Sequence, residues 1–332
     1  MNVIFTCGGT GGHINPAIAV ANTLKERHPD CKILFIGAEG HMEEKLVPAA
    51  GYELVTLPGS GLSSSAAFEV LLGTIFNELF FDKSLSPAEV ARIGQHAENV
   101  YFGKPCGLMD QMASSVGGVI AIDFADPAAP VITQMSLDLA AEGCCLYIVD
   151  TGGNHADLTA EYAAVPAEMK AVAASLGCAV LRQTDEAAVL AALPALRQAH
   201  GDRAVLRALH FFADNERVPQ QDAALRAGDF DRFLDLVNAS GRSSWVYLQN
   251  VVPAGYKEHQ EVALTLALCA ALLDGRGASR VHGGGFAGTV QAFVPFEILE
   301  DFRAGIDGVL GEGACHVLSI RPQGGVEMEV QA

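Results

Sequence analysis

The chain of 332 residues carries 21 Lys and Arg against 39 Asp and Glu, for a formal net charge of −18, with half its residues apolar and 18% charged. Such a composition is globular rather than disordered and long enough for two domains. Its acidity excludes the clustered cations that nucleic acid or an anionic membrane surface would need.

In chain order, "NVIFTC" (2–7) is a short β-branched run that ends in "GGTGGH" (8–13). A helical pattern follows, apolar at Ile14, Ala17, Ile18, Val20, Ala21 and Leu24. "KILFIG" (32–37) reads as a second strand, "MEEKLVPAAG" (42–51) as a short helix and "YELVTL" (52–57) as a third strand. Strand, glycine turn, helix and strand predict a βαβ unit with parallel pairing. The glycines allow a tight turn that aims backbone amides at an anion near a helix N-terminus.

The sequence changes character at Gly61. "GLSSSAAFEVLLGTIFNELF" (61–80) is a small-residue loop running into an amphipathic helix. Its serines either cap that helix or face an anion, with a hydroxyl reaching a metal. There is no G-x-x-x-x-G-K-[ST], so a Walker loop is excluded. A helix is expected over 86–100, with Glu98 on its polar face as a solvated charge. In "QHAENVYFGKPCGLMDQMASSVGG" (95–118), Asp110 sits among apolar and glycine residues, where an unpaired carboxylate is costly. "CCLYIVD" (144–150) reads as a core strand, and 187–209 as an alanine-leucine helix around Pro194. "RVHGGGFAGTVQAFV" (280–294) places a glycine-rich turn between two strand-like runs.

Eight cysteines (7, 31, 106, 144, 145, 178, 269 and 315) form no C-x-x-C pair, and the ten histidines form no H-E-x-x-H. Reduced thiols are expected rather than a disulfide framework or a zinc site. The N-terminus has no basic region of a signal peptide, and no apolar run approaches the ~18 residues that a membrane-spanning helix needs. A cytoplasmic protein is expected.

Two resemblances organise these segments. Residues 1–60, with "GGTGGH" followed by "PA" and then "E-x-x-LVP-x-AGYE", resemble the start of the MurG glycosyltransferase family. That resemblance implies a substrate-binding glycine loop at Thr10, Gly11, Gly12 and His13. From about Pro58 to the end, "PGSGLSSSAA", "CGLMDQ" and "GGGFAGT" resemble, in order, the three motifs of the galactokinase family of GHMP kinases. "DTGGNHADLTAEY" (150–162) and "SSWVYLQN" (243–250) resemble its bacterial members.

The second resemblance implies transfer of the ATP γ-phosphoryl group, with Mg²⁺, to the anomeric hydroxyl of galactose. ATP and galactose are then the partners, with neither nucleic acid nor a membrane span. Carried over by position, Gly61, Leu62, Ser63, Ser64, Ser65 and Ala66 would wrap the phosphates. Ser64 and Glu98 would hold the metal, and Asp110 would be the catalytic carboxylate. Gly107 and Tyr162 would contact the sugar, and Gly283, Gly284, Gly285 and Gly288 would close the site. Tyr162 reads equally well as a half-buried packing residue.

The family's opening "GR-x-E-x-x-G-E/N-H-T-D-Y" does not occur in the sequence. Its absence implies lost or severely reduced activity, an exposed sheet edge and an uncovered apolar face. The expected fold is α+β: a two-domain GHMP-kinase scaffold preceded by a MurG-like half-Rossmann unit. Boundaries are expected at 1–59 (MurG-like unit), 60–125 (ATP-loop domain) and 126–332 (C-terminal domain). Two alternatives stay open, a MurG-like N-acetylglucosaminyltransferase fragment and a non-catalytic sugar- and ATP-binding protein. The shared letters around "P-x-S-G-L" mark the join of an apparent chimera.

Overall fold

Three β-branched runs pair in parallel near the N-terminus: β1 (Asn2–Thr6), β2 (Lys32–Ala38) and β3 (Glu53–Leu57), in the order β1-β2-β3. The structure is a computed structural model that describes residues 2–6, 11–38, 42–57, 64–101, 106–126, 129–153 and 158–326. By internal packing the chain divides into unit 1, running to Val116 and taking in the stretch from Gly325, and unit 2, Gly117–Gly324.

In unit 1, α1 (Gly11–Arg27) and α2 (Glu43–Ala49) connect the three strands. The register aligns Phe5, Phe35 and Leu54 across the sheet. That row packs on Ile14, Ala21, Leu46 and Val47 of the helices. Phe5 and Phe35 stack with ring centroids 5.1 Å apart. On the opposite face, Ile4 and Val55 are 55% and 43% exposed. Parallel sheets are usually covered on both faces, so this one is only half-buried among the described residues.

The rest of unit 1 is helical: α3 (Ser64–Phe80), α4 (Pro87–His96) and α5 (Met109–Val116), packed on one another. Helix α4 begins with a reciprocal cap. The Ser86 hydroxyl accepts from Glu89 N–H, while the Glu89 carboxylate accepts from Ser86 N–H. Among the described residues, the well-packed element pairs of this unit fall within β1–β3 and their helices, or within α3–α5. Phe76, Leu79 and Phe80 leave part of the apolar surface of α3 in water.

Unit 2 holds a hairpin, β4 (Val119–Asp123) with β5 (Val131–Met135), and a four-stranded antiparallel sheet. Its strands are β6 (Cys144–Asp150), β7 (Ala278–Val281), β8 (Thr289–Pro295) and β9 (Cys315–Leu318), in the order β7-β8-β6-β9. Helices α6 (Thr159–Ser175), α7 (Glu186–Ala191), α8 (Leu193–Ala227), α9 (Phe230–Ser243), α10 (Glu261–Leu273) and α11 (Leu299–Leu310) surround it.

The period-2 alternation of strand side chains builds two cores from one sheet. Tyr147, Val149, Val290, Ala292 and Val294 pack on Val262, Leu266 and Cys269 of α10 and on Phe302 and Ile306 of α11. Their neighbours Cys144 and Phe293 point the other way, onto Ala224 of α8 and Phe233 and Val237 of α9. The stretch expected as one helix over 187–209 is interrupted twice, at Ala192 and at Gly201. Pro194 lies in the first turn of α8, where its missing N–H costs nothing, and Gly201 breaks the helical geometry further on (φ 81°).

Candidate functional site

In unit 1 the "CGLMDQ" segment follows the π-helical turn Ala97–Tyr101 and runs into α5, which begins at Met109. Side chains from that turn and from α4 hold it. Asn99 Oδ1 accepts from Cys106 N–H at 2.7 Å, and Asn99 and Gln95 both donate to the Cys106 carbonyl. Asp110 then falls in the first turn of α5, exposed, where the helix dipole favours a carboxylate. Gly107 is also exposed, and a Cβ there would meet no atom within 4 Å.

Behind Asp110 is a buried polar cluster. Gln111, 1% exposed, donates its side-chain amide to Glu69 Oε2 of α3 at 3.0 Å and to Glu98 Oε2 at 3.1 Å. Close helix approach makes this possible: a Cβ on Gly94 of α4 would lie 3.2 Å from Glu69 Cβ. Glu98 is 4% exposed, not the solvated charge expected of a helix over 86–100. Helix α4 ends at His96, and the wider π turn rotates Glu98 inward. Gln111 Oε1 is buried without a hydrogen-bond partner among the described residues.

Burial, reinforced by a hydrogen bond to Glu98 and by its charge, pushes the Cys106 thiol up to about 11. Iodoacetamide at pH 8 should therefore modify Cys106 on the order of 10²-fold more slowly than an ordinary thiol, because only the thiolate reacts. A rate equal to that of free cysteine would contradict this arrangement.

Of the expected phosphate loop, Gly61, Leu62 and Ser63 lie outside the described residues. The backbone of Ser64 opens α3, followed by exposed Ser65 and buried Ala66. Thr10 also lies outside, while Gly11, Gly12 and His13 begin α1.

In unit 2 the glycine loop joins β7 to β8, and its carbonyls are held from behind. Thr151 N–H and Oγ1 donate to the Gly288 carbonyl at 3.0 and 2.7 Å. The Tyr162 hydroxyl, kept protonated by burial, donates to the Gly285 carbonyl at 2.8 Å. Its ring meets Phe286 edge-on, with centroids 5.5 Å apart. Asn250, 3% exposed, donates Nδ2 to the Gly284 carbonyl at 3.1 Å, and its own carbonyl accepts from Phe286 N–H. Gly285 has φ +81°, and a Cβ there would sit 2.1 Å from the Asn250 carbonyl oxygen, so only glycine fits. Tyr162 is thus occupied with the glycine loop.

The motif reading missed Glu69, Gln111 and Asn250. A lone acid inside the apolar run of α3 was a usable signal for Glu69. Nothing local marks the other two.

Comparison with known proteins agrees with this architecture. Residues 15–118 match the family described as GHMP kinases N terminal domain. That match begins within α1, so it takes in most of the segment expected to be MurG-like. Lactococcus lactis galactokinase, solved in complex with galactose, superposes with a TM-score of 0.65 at 24% identity, covering 85% of this chain and 74% of that one. L. major mevalonate kinase in complex with R-mevalonate gives 0.53 at 16% identity, covering 98% and 83%. The protein has the mixed helix and strand fold of the GHMP kinases.

Within that class its sequence is similar to galactokinases. The Streptomyces coelicolor galactokinase is 36% identical over 272 residues, 78% of this chain and 65% of the relative. The enzyme of Actinobacillus pleuropneumoniae serotype 3 is 32% identical over 244 residues, 74% and 60% respectively. The chain therefore spans less than two thirds of the length of these relatives.

Proposed function

We propose that the protein is a galactokinase-like phosphotransferase that moves the γ-phosphoryl group of ATP, with Mg²⁺, to the anomeric hydroxyl of galactose. The observation that carries the reading is the similarity to galactokinases over 78% of the chain. The three motifs, in order, supply a phosphate loop, a carboxylate and a glycine closure, and the fold agrees with such a kinase.

Among the described residues no group of three His, Cys, Asp or Glu could hold a metal. Mg²⁺ bound with a nucleotide needs fewer protein ligands, usually one or two carboxylates besides phosphate oxygens and water. Glu98 and Glu69, brought together on one amide, would supply hard oxygen donors of that kind, with Ser64 as the further ligand. When bound, the ion would neutralise charge on the nucleotide's phosphates.

The protein's own residues do the rest. Gly61 to Ala66 wrap the phosphates at the start of α3. Asp110 accepts the proton of the sugar hydroxyl or orients it, and Gly107 lies open beside it for substrate. In unit 2 the loop Gly283 to Gly288, held at Gly285 by Tyr162, contributes the glycine motif to substrate binding. Positioning and charge neutralisation dominate phosphoryl transfer, so these few parts suffice.

Residues 1–59 are read as a MurG-like unit joined to kinase segments 60–125 and 126–332. The parallel β1-β2-β3 sheet supports that reading. Long DNA reads spanning codons 55–65 of the source genome test the join; reads that continue from the MurG-like part into a different downstream sequence would show an assembly error.

The kinase reading predicts ADP release that requires both galactose and Mg²⁺. Failure to bind ATP, or ADP release indifferent to sugar, would overturn it. Turnover in the ordinary kinase range of about 1–100 per second would remove the expectation of severe loss drawn from the absent motif.

A further inference from the structure

The glycine loop between β7 and β8 is tied into its unit through both carbonyls and amides. Three donors reach its carbonyls: Asn250 Nδ2 at Gly284, the Tyr162 hydroxyl at Gly285, and Thr151 at Gly288. Of its amides, Phe286 N–H donates to the Asn250 carbonyl and Ala287 N–H to the Gly285 carbonyl. The N–H groups of Gly283 and Gly284, both exposed, have no partner among the described residues. Positive φ at Gly283 (66°), Gly285 (81°), Phe286 (61°) and Gly288 (88°) shapes the turn. Two successive exposed amides are donors of the kind an anion takes up.

Asn250 holds this loop twice. Its side chain fixes the Gly284 carbonyl, and its backbone carbonyl accepts from Phe286 N–H at 2.5 Å. The residue follows Gln249, which has left-handed geometry (φ 55°) at the end of the π turn Ser244–Leu248. Its side-chain Oδ1 is buried without a partner among the described residues, so the amide is oriented by the loop alone. An apolar residue would avoid that desolvation cost, which makes the donor the reason for an asparagine here.

We infer that Asn250 is a positioning residue that sets the exposed amides of Gly283 and Gly284 for a phosphate group of the nucleotide. It acts through Gly284 and Phe286, not by touching substrate. This rests on the kinase reading above, because the phosphate is that of ATP.

The test uses the intact protein with Asn250→Ala and, separately, Asn250→Leu. Both variants keep the backbone carbonyl that binds Phe286, so they isolate the side chain. Asn250→Leu fills the space of the side chain and removes its donor, and it stands in if the alanine variant does not fold. Hydrogen exchange over 283–288 should speed up about tenfold in each, with exchange in β6 and α10 unchanged. In galactose-dependent turnover, KM for ATP should rise about tenfold while kcat changes little.

Unchanged loop exchange overturns the inference, as does faster exchange throughout β6 and α10, which would make Asn250 a plain core residue. Faster loop exchange with an unmoved KM for ATP overturns the phosphate assignment. If the unaltered protein shows no galactose-dependent turnover at all, the kinase reading fails, and the phosphate assignment that rests on it fails too. Loop exchange would then still decide whether Asn250 orders the loop.

Discussion

Replacing Glu168 with alanine should destabilise unit 2 by about 3–5 kcal/mol, because it strands a buried arginine. Arg207 of α8 is 0% exposed and donates Nη1 to Glu168 Oε2 of α6 at 2.9 Å. Its Nε donates to the Leu248 carbonyl at 3.0 Å, and Nη2 is buried without a partner among the described residues. Burial holds the guanidinium below its usual value, while the Glu168 charge opposes that shift. Arg203 shares the same carboxylate, but it is exposed enough to turn to water when the acid is removed. Arg207 has no such outlet. Thermal unfolding of the variant should show a midpoint lower by roughly 10 °C. Adding Arg207→Met should recover most of the loss, since an apolar side chain needs no counter-charge. A midpoint unchanged in the single variant would contradict the buried pair.

Asp110→Asn should lower galactose-dependent ADP release by about 10²–10⁴-fold, the usual worth of a positioned general base. The substitution keeps the shape and an oxygen acceptor, so ATP binding and the melting midpoint should hold. Asp110 is exposed in the first turn of α5, and the residue beside it, Gln111, anchors that helix to Glu69 and Glu98. A variant with normal turnover would remove Asp110 from the chemistry. A variant that loses ATP binding along with turnover would assign it to nucleotide binding instead.

Much of the local structure was legible because it depends on neighbours in sequence. The β-branched runs at 2–7, 32–37 and 52–57 became β1, β2 and β3, and "CCLYIVD" became β6, the central strand between two cores. The positive φ of the glycine loop was legible in its composition. What stayed hidden depends on distant packing. Glu98 reads as a surface charge on any continued α-helix, and only the π turn after His96 carries it into the interior. Asn250 lies 34 residues before the carbonyl it holds, so no spacing rule connects them. Gln111 was quoted with its motif, yet its part in joining Glu69 to Glu98 requires three helices to meet.

The GHMP-kinase domain match, residues 15–118, takes in β2 and β3 of the segment expected to be MurG-like. Pairing in that segment is parallel and its packing is its own, on Phe35 and Val47. Unit 2 rests on a separate core around β6 and β8 and contributes the glycine loop and Tyr162.

The most direct test of the account is the position of the transferred phosphate, read by proton–phosphorus correlation NMR of the products of intact protein with ATP, Mg²⁺ and galactose. The account predicts a phosphorus signal coupled to the anomeric proton of galactose. Phosphate on any other sugar hydroxyl, or inorganic phosphate as the sole product, would contradict it.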